Sequence, residues 1–224
     1  FAIEPVKFFK DSGYLFLNLN SNKLIFDVGG IGLGKLAAHG HADALQILLS
    51  RNDEPFLIDC GTYQYHSRFA KWRNYFRGTL SHNTISVNGA DQAKSGGRMI
   101  WNIKPCINIE DFNENEEIIL CRASHDGFIR QGIDVRHTRE LIYNRISGKI
   151  VINDLVKGDG DISVSFNFHF APHLDIVHQN DMVILNGTKT SCRLTNPMFK
   201  QASLNSGNDK TPTGWFSPSF GVLK

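Results

Sequence analysis

Hydrophobic and polar residues alternate along much of the chain with a period of two, the spacing of a β-strand. The cleanest run is 162–170, where Ile162, Val164, Phe166, Phe168 and Phe170 alternate with Ser163, Ser165, Asn167 and His169. It predicts a strand with one face in a core and the other in solvent or a cleft. Residues 14–20 and 23–27 read as a hairpin around a polar turn. Residues 44–50 and 55–59 follow as two strands joined by Arg51-Asn52-Asp53-Glu54, and 84–87 ends at the turn dipeptide Asn88-Gly89. Further strands are expected at 134–143, 149–153, 174–177, 182–185 and 191–194, punctuated by Gly158-Asp159-Gly160 and Asn186-Gly187. Only 67–76, with Arg, Lys and aromatics, breaks the alternation and predicts one short helix or irregular loop. Strands at such short intervals favour an all-β antiparallel sandwich over a βαβ fold.

Composition narrows this little. The 224 residues suffice for one large all-β domain or two small ones, and 41% hydrophobic content supports a substantial core. Sixteen phenylalanines suggest aromatic packing layers. A net charge of +2 does not argue for nucleic acid, although it leaves room for a local basic patch meeting an acidic ligand. No apolar run approaches the ~20 residues of a membrane span. The chain starts with Phe1, shows no signal-peptide pattern and reads as a fragment of a longer protein. Cys60, Cys106, Cys121 and Cys192 form no C-x-x-C pair, which argues against a zinc ribbon and leaves their redox state open. The glycine-dense 29–34 echoes a dinucleotide fingerprint but lacks the strand–helix unit and downstream acid, so a flexible loop near a binding site is the better reading.

Chemistry concentrates between residues 39 and 82. His39-Gly40-His41-Ala42-Asp43 brings two imidazoles and a carboxylate together. Asp59 ends an apolar strand, where a charge is costly unless paired or ligated. Ser81-His82-Asn83-Thr84 opens the next strand. Imidazole nitrogen and carboxylate oxygen suit zinc and related divalent ions. If 39–41 is extended, His39 and His41 lean to one face, one ligating and the other facing a substrate. Cys60 would point away from Asp59. His66, His125, His137, His169, His173 and His178 read as surface or hydrogen-bonded core residues.

Three blocks, in order, carry a specific resemblance: His39-Gly-His41-Ala-Asp43-Ala-Leu45, then Leu57-Ile-Asp59-Cys-Gly-Thr-Tyr63, then Tyr75-Phe-Arg77-Gly-Thr-Leu-Ser-His82-Asn-Thr84. Together they resemble the heparinase II/III-like polysaccharide lyases, in the β-sandwich domain that follows an α/α-toroid. A weaker family-like tail runs from His137-Thr-Arg139 through Asn153-Asp154 to Phe168-His-Phe-Ala-Pro172. The chain departs from the family at Cys60, usually Pro, and at Gly78, usually a small polar residue; neither removes a ligand.

The resemblance implies a super-sandwich type fold over 1–224 with the N-terminal toroid domain absent. It implies His41, Asp59 and His82 as ligands of a divalent metal, zinc first among them, and His39 as the catalytic histidine facing substrate. Arg77 matches a family arginine of unassigned role. Tyr63, Tyr65, Arg73, Arg77 and Lys71 are candidates to bind sugar or carboxylate, with core packing or a solvated loop as the alternative for each. The implied activity is β-elimination on a uronic-acid glycan of the heparin, heparan sulfate or alginate type. The isolated fragment is expected to be inactive, because part of the machinery belongs to the toroid. The implied partners are an acidic polysaccharide and that domain, and the implied location is periplasmic or secreted. The alternatives are a non-catalytic carbohydrate-binding or scaffold domain keeping a structural metal, and a cupin-like metal enzyme, whose tighter histidine cluster with a following Glu is not found here.

Overall fold

The computed structural model describes residues 4–66, 70–208, 210 and 212–224. The first sheet is a meander of five antiparallel strands: β1 (Val6–Phe9), β2 (Tyr14–Leu19), β3 (Asn22–Asp27), β4 (Ile47–Arg51) and β5 (Glu54–Leu57). Its hairpins close tightly because Asn20, Ser21, Asn52 and Asp53 all take left-handed backbone, as a two-residue primed turn requires. Three short strands follow: β6 (Ile85–Val87), β7 (Lys94–Ser95) and β8 (Trp101–Ile103). The second large sheet is built from β9 (Ile107–Glu114), β10 (Ile118–His125), β11 (Val135–Asn144) and β12 (Ile150–Gly158), in spatial order β12-β11-β10-β9.

The two sheets pack face to face as a sandwich. Alternate residues Leu15, Leu17, Leu24, Phe26 and Leu49 of the first meet Ile119, Cys121, Ala123, Leu141 and Tyr143 of the second in one core. Each such large side chain contributes roughly 1.5–3 kcal/mol on burial. Three more strands, β14 (Asp175–Gln179), β15 (Met182–Asn186) and β16 (Ser191–Thr195), form a sheet over Phe56, Ala171 and Leu174. Preceding them, β13 (Val164–Phe166) pairs with β6.

The expected long strand over 162–170 is therefore shorter than its alternation suggests. Its partner β6 spans three residues, and beyond Phe166 the backbone turns to other acceptors: the N–H of Asn167 donates to Thr84 O and that of His169 to the Asn83 side chain. The helical expectation over 67–76 resolves as α1 (Ala70–Arg77), with 67–69 outside the described residues. Its Trp72, Tyr75 and Phe76 pack on Cys60, alongside Trp215. The glycine-dense loop is pinned rather than free: Ile31 and Ala37 are buried beneath Trp101, whose backbone N–H donates to Leu36 O. All four cysteines are free thiols. No described helix is long and apolar enough to cross a membrane.

Candidate metal centre

Three loop segments converge at one end of the sandwich. His41 lies between the glycine-rich loop and β4, Asp59 just past β5, and His82 between α1 and β6. One potential ligand atom from each lies within 4.8 Å of the other two. A tetrahedral zinc ion with bonds near 2.0–2.2 Å places its ligand atoms about 3.3–3.6 Å apart, so a modest contraction fits the trio to an ion. Two glycines permit this arrangement. A Cβ on Gly40 would fall 2.7 Å from Gly32 Cα, so the chain between the two histidines can pass that loop only without a side chain. Gly61, at φ +86, lies so close to Ser217 that a Cβ would meet its carbonyl at 2.4 Å, and its N–H donates to Asp59 Oδ1 at 2.7 Å.

The electrostatics prepare the ligands. His41 is buried; burial first, then His82, lowers its pKa to about 3, which keeps the imidazole neutral. Arg73 Nη1 donates to His41 Nε2 at 3.4 Å, which leaves the ring's lone pair on that nitrogen, where a bound ion would take the place of the guanidinium. Asp59 is held below the usual carboxylate range: burial pushes it up, but His82 and the Gly61 N–H prevail. His82 is raised, because Asp59 and Asp43 outweigh its burial. Its Nε2 is buried with no partner among the described residues, an orphan that a cation would satisfy. Burial raises the neighbouring Asp43 to about 6. Burial and then Asp43 raise Asp27 to about 7. Neutral imidazole, carboxylate and an orphaned ring nitrogen form a donor set that fits a divalent ion.

The geometry separates the two histidines of the His-Gly-His motif. Residues 39–41 are not extended: His39 takes φ +64, so the rings diverge. His41 turns inward, its ring 5.3 Å from that of His82, while His39 is exposed and packs edge-on against Tyr65 at 4.9 Å. Tyr65 also touches Phe220 and covers the Arg73 guanidinium, 5.0 Å from its ring centre. Arg73 thus lies directly beneath the surface formed by His39 and Tyr65, with Nη2 without a partner among the described residues. Tyr63 packs against Trp72 and Phe76. Arg77 is 1% exposed, stacks 3.8 Å over Trp101 and donates to the carbonyls of Ile100 and Gly97. For Tyr63 and Arg77 the geometry supplies the packing alternative. Lys71 Nζ lies over the Trp72 ring. Cys60 is turned away into the α1 cluster and is not among the ligand group.

Five of the six histidines read as bland are hydrogen-bonded: His125 and His137 to each other, His169 to Leu80 O, His173 to Glu54 and His178 to Phe199 O. The residues that frame the site were not singled out from the sequence. Thr84 Oγ1 and Gln92 Nε2 both donate to Ala44 O, while Asn83 and Arg139 reach the backbone of all three ligand segments or their neighbours. An open groove lies elsewhere, between β12, β13 and the β14–β16 sheet, and is lined by none of the three ligands.

A family model described as heparinase II/III-like, C-terminal, matches residues 3–224. The structure is similar to that of the heparan sulfate lyase HepC from Pedobacter heparinus, with a TM-score of 0.74 at 13% identity over 98% of this chain and 32% of that one. A HepC mutant from the same organism gives 0.75 at 14% identity, with the same coverage of both chains. A heparinase III structure gives 0.65 at 18% identity, over 82% of this chain and 28% of that one. At such identities the shared property is the fold, and the chain spans about a third of the length of these proteins. No curated protein matches the sequence.

Proposed function

Because the chain belongs to the heparinase II/III-like C-terminal family, we propose that it is the metal-bearing β-sandwich part of a polysaccharide lyase. The lyase cleaves uronic-acid glycans of the heparin or heparan sulfate type by β-elimination. One observation carries the reading: an exposed His39 stands beside the His41–Asp59–His82 cluster, whose two histidines are buried and whose carboxylate is part-buried, so an imidazole meets solvent next to a set of ion-ready ligands.

Such an elimination removes the weakly acidic proton at C5 of the uronate and expels the 4-linked oxygen. It needs a base, an acid for the leaving group and positive charge near the carboxylate. His39, an exposed imidazole whose ring nitrogens can both give and take a proton, serves in proton transfer. Tyr65 offers a ring face and a hydroxyl to the sugar. Arg73, under Tyr65, contributes fixed positive charge. His41, Asp59 and His82 hold the divalent ion, for which zinc suits the donor set. When bound, that ion cross-links three segments and fixes the loop bearing His39; its role is structural. Arg77 and Tyr63 hold the surrounding loops.

The greater length of the related structures supports a further domain, an α/α-toroid supplying the other elimination groups, so this chain alone has little activity. From the family reading alone we infer a periplasmic or secreted location.

The test is absorbance from unsaturated uronate products when the whole protein carrying this chain meets heparan sulfate, heparin or alginate. A signal on the first two that disappears in His39→Ala supports the reading. Glycan binding without a signal on any uronic-acid polymer sinks it in favour of a carbohydrate-binding domain.

A further inference from the structure

The core face of β11 contains a polar break. Val135, His137, Arg139, Leu141 and Tyr143 all point inward and all are buried. A guanidinium 1% exposed inside a sandwich is strongly destabilising unless every donor is engaged. Arg139 Nε and Nη2 donate to the two carboxylate oxygens of Asp154, its register partner on β12, at 2.7 and 2.9 Å. Nη1 points out of that pair and donates to two backbone carbonyls, Leu45 at 2.8 Å and Asn83 at 2.6 Å. Leu45 lies four residues after His41, and Asn83 directly follows His82.

Asn83 completes the tie. Its Nδ2 donates to Ile47 O at 2.9 Å and to Ile58 O at 2.8 Å, while its Oδ1 accepts the His169 N–H at 2.6 Å. Ile58 directly precedes Asp59. Two fully buried side chains therefore join the backbone of all three ligand segments.

Behind Arg139 the protons are ordered. The Gly127 N–H donates to His125 Nδ1 at 3.2 Å, so the proton of a neutral His125 sits on Nε2. That nitrogen lies 3.2 Å from His137 Nδ1, which places the His137 proton on Nε2, 2.7 Å from Asp154 Oδ1. Asp154 thus receives one imidazole and a bidentate guanidinium, which fixes the plane of Arg139.

We infer that Asn83 and Arg139, the latter oriented by Asp154, are positioning residues that pre-arrange His41, Asp59 and His82 for a divalent ion without touching it. This rests on the metal reading above. The contacts are concentrated at the ligand segments, whereas the Tyr143 hydroxyl, another buried polar group of β11, donates to Leu19 O of β2 and reaches no ligand segment.

The test is cobalt(II) binding to the whole chain, read by chelator competition and by the visible ligand-field spectrum, in wild type, Asn83→Ala, Arg139→Lys and Tyr143→Phe. Lysine keeps the charge but cannot pair bidentately with Asp154 and still reach two carbonyls. The expected result is a loss of about 10–100-fold in cobalt affinity, with a changed spectrum, in Asn83→Ala and Arg139→Lys. Tyr143→Phe, a comparable loss of a buried hydrogen bond, leaves both unchanged. Wild-type affinity and spectrum in both site variants overturn the inference, as does an equal loss in Tyr143→Phe. If Arg139→Lys does not fold, Asn83→Ser decides on the same readouts. A wild-type chain that takes up no cobalt defeats the metal reading itself, a distinguishable failure.

Discussion

Nδ1 of His82 lies 2.9 Å from Oδ2 of Asp59, and the His82 side chain is wholly buried while that of Asp59 keeps 32% exposure. The carboxylate can therefore reach both the buried ring and whatever enters from outside. Asp59→Asn keeps the shape and removes the charge. In chelator-treated protein we expect a stability loss of about 1–3 kcal/mol by urea denaturation, because the amide is a poorer partner for a buried imidazole. Unchanged stability would show that the contact does not contribute.

Arg77 holds the hairpin of β7 and β8 to the helix through Trp101, Gly97 and Ile100. Arg77→Met removes two charge-assisted hydrogen bonds and the guanidinium stack on Trp101, although Gly97 O keeps the Ser95 hydroxyl and Ile100 O the Gly96 N–H, and a loss of about 2–4 kcal/mol is expected. Hydrogen exchange should rise selectively in 94–103. An unaltered exchange pattern there, combined with weaker glycan binding, would instead place Arg77 in the substrate site.

His39 occupies left-handed backbone and is exposed, so its side chain contributes little to the fold. His39→Gly removes the imidazole and relaxes φ. Stability should stay unchanged or rise by up to about 1 kcal/mol, while lyase activity of the whole protein falls by roughly 10²–10⁴. A marked stability loss would contradict the surface role.

Stability should fall on mild acidification. Burial, the first cause in each case, depresses the folded pKa of His125 well below normal, lowers His137, and brings His41 to about 3 and His169 to about 4. The unfolded chain binds protons at these sites below about pH 6.5 and the folded chain does not. Each then removes up to about 1.4 kcal/mol per pH unit as pH falls. His82 works in the opposite sense, its contribution being present below that pH and lost as pH rises through its raised folded value. Asp27 and Asp43, raised to about 7 and about 6, also oppose the loss, because their folded carboxyls bind protons in this window that the unfolded chain does not, so the four histidines prevail only in part. Asp154, held low by Arg139 against its burial, adds a further loss below about pH 3.9. In chelator-treated protein the urea midpoint should drop steadily from pH 6.5 to 4.5, and His125→Gln should flatten that slope by about one proton. A flat or rising midpoint would refute this.

Much of the sandwich could be read from the sequence because alternation is a local property. The runs over 14–20, 23–27 and 134–143 correspond to β2, β3 and β11. Five strands have no counterpart in the alternation, among them β7 and β8, which span only two and three residues. β1 is short and at the sheet edge; β9 carries Asn108, Glu110, Asp111 and Asn113 and is mostly exposed; β10 ends in Ala123-Ser124-His125, which looks polar although it is buried. The ligand trio was accessible through motifs. Its frame was not, because Arg139 meets Asp154 only through the β11–β12 register, and Leu45 and Asn83 only through the tertiary fold. One signal did exist: a period of two on 135–143 puts His137 and Arg139 on the same face as Leu141 and Tyr143, and a cation among core residues demands a partner.

The central claim is that His41, Asp59 and His82 hold a divalent metal that ties three segments together. Metal analysis of purified wild-type protein and His41→Ala, each with its melting temperature, tests it most directly. The account predicts about one tightly held divalent ion per wild-type chain, lost in His41→Ala together with several degrees of melting temperature. A variant that matches wild type in both metal content and melting temperature would contradict it.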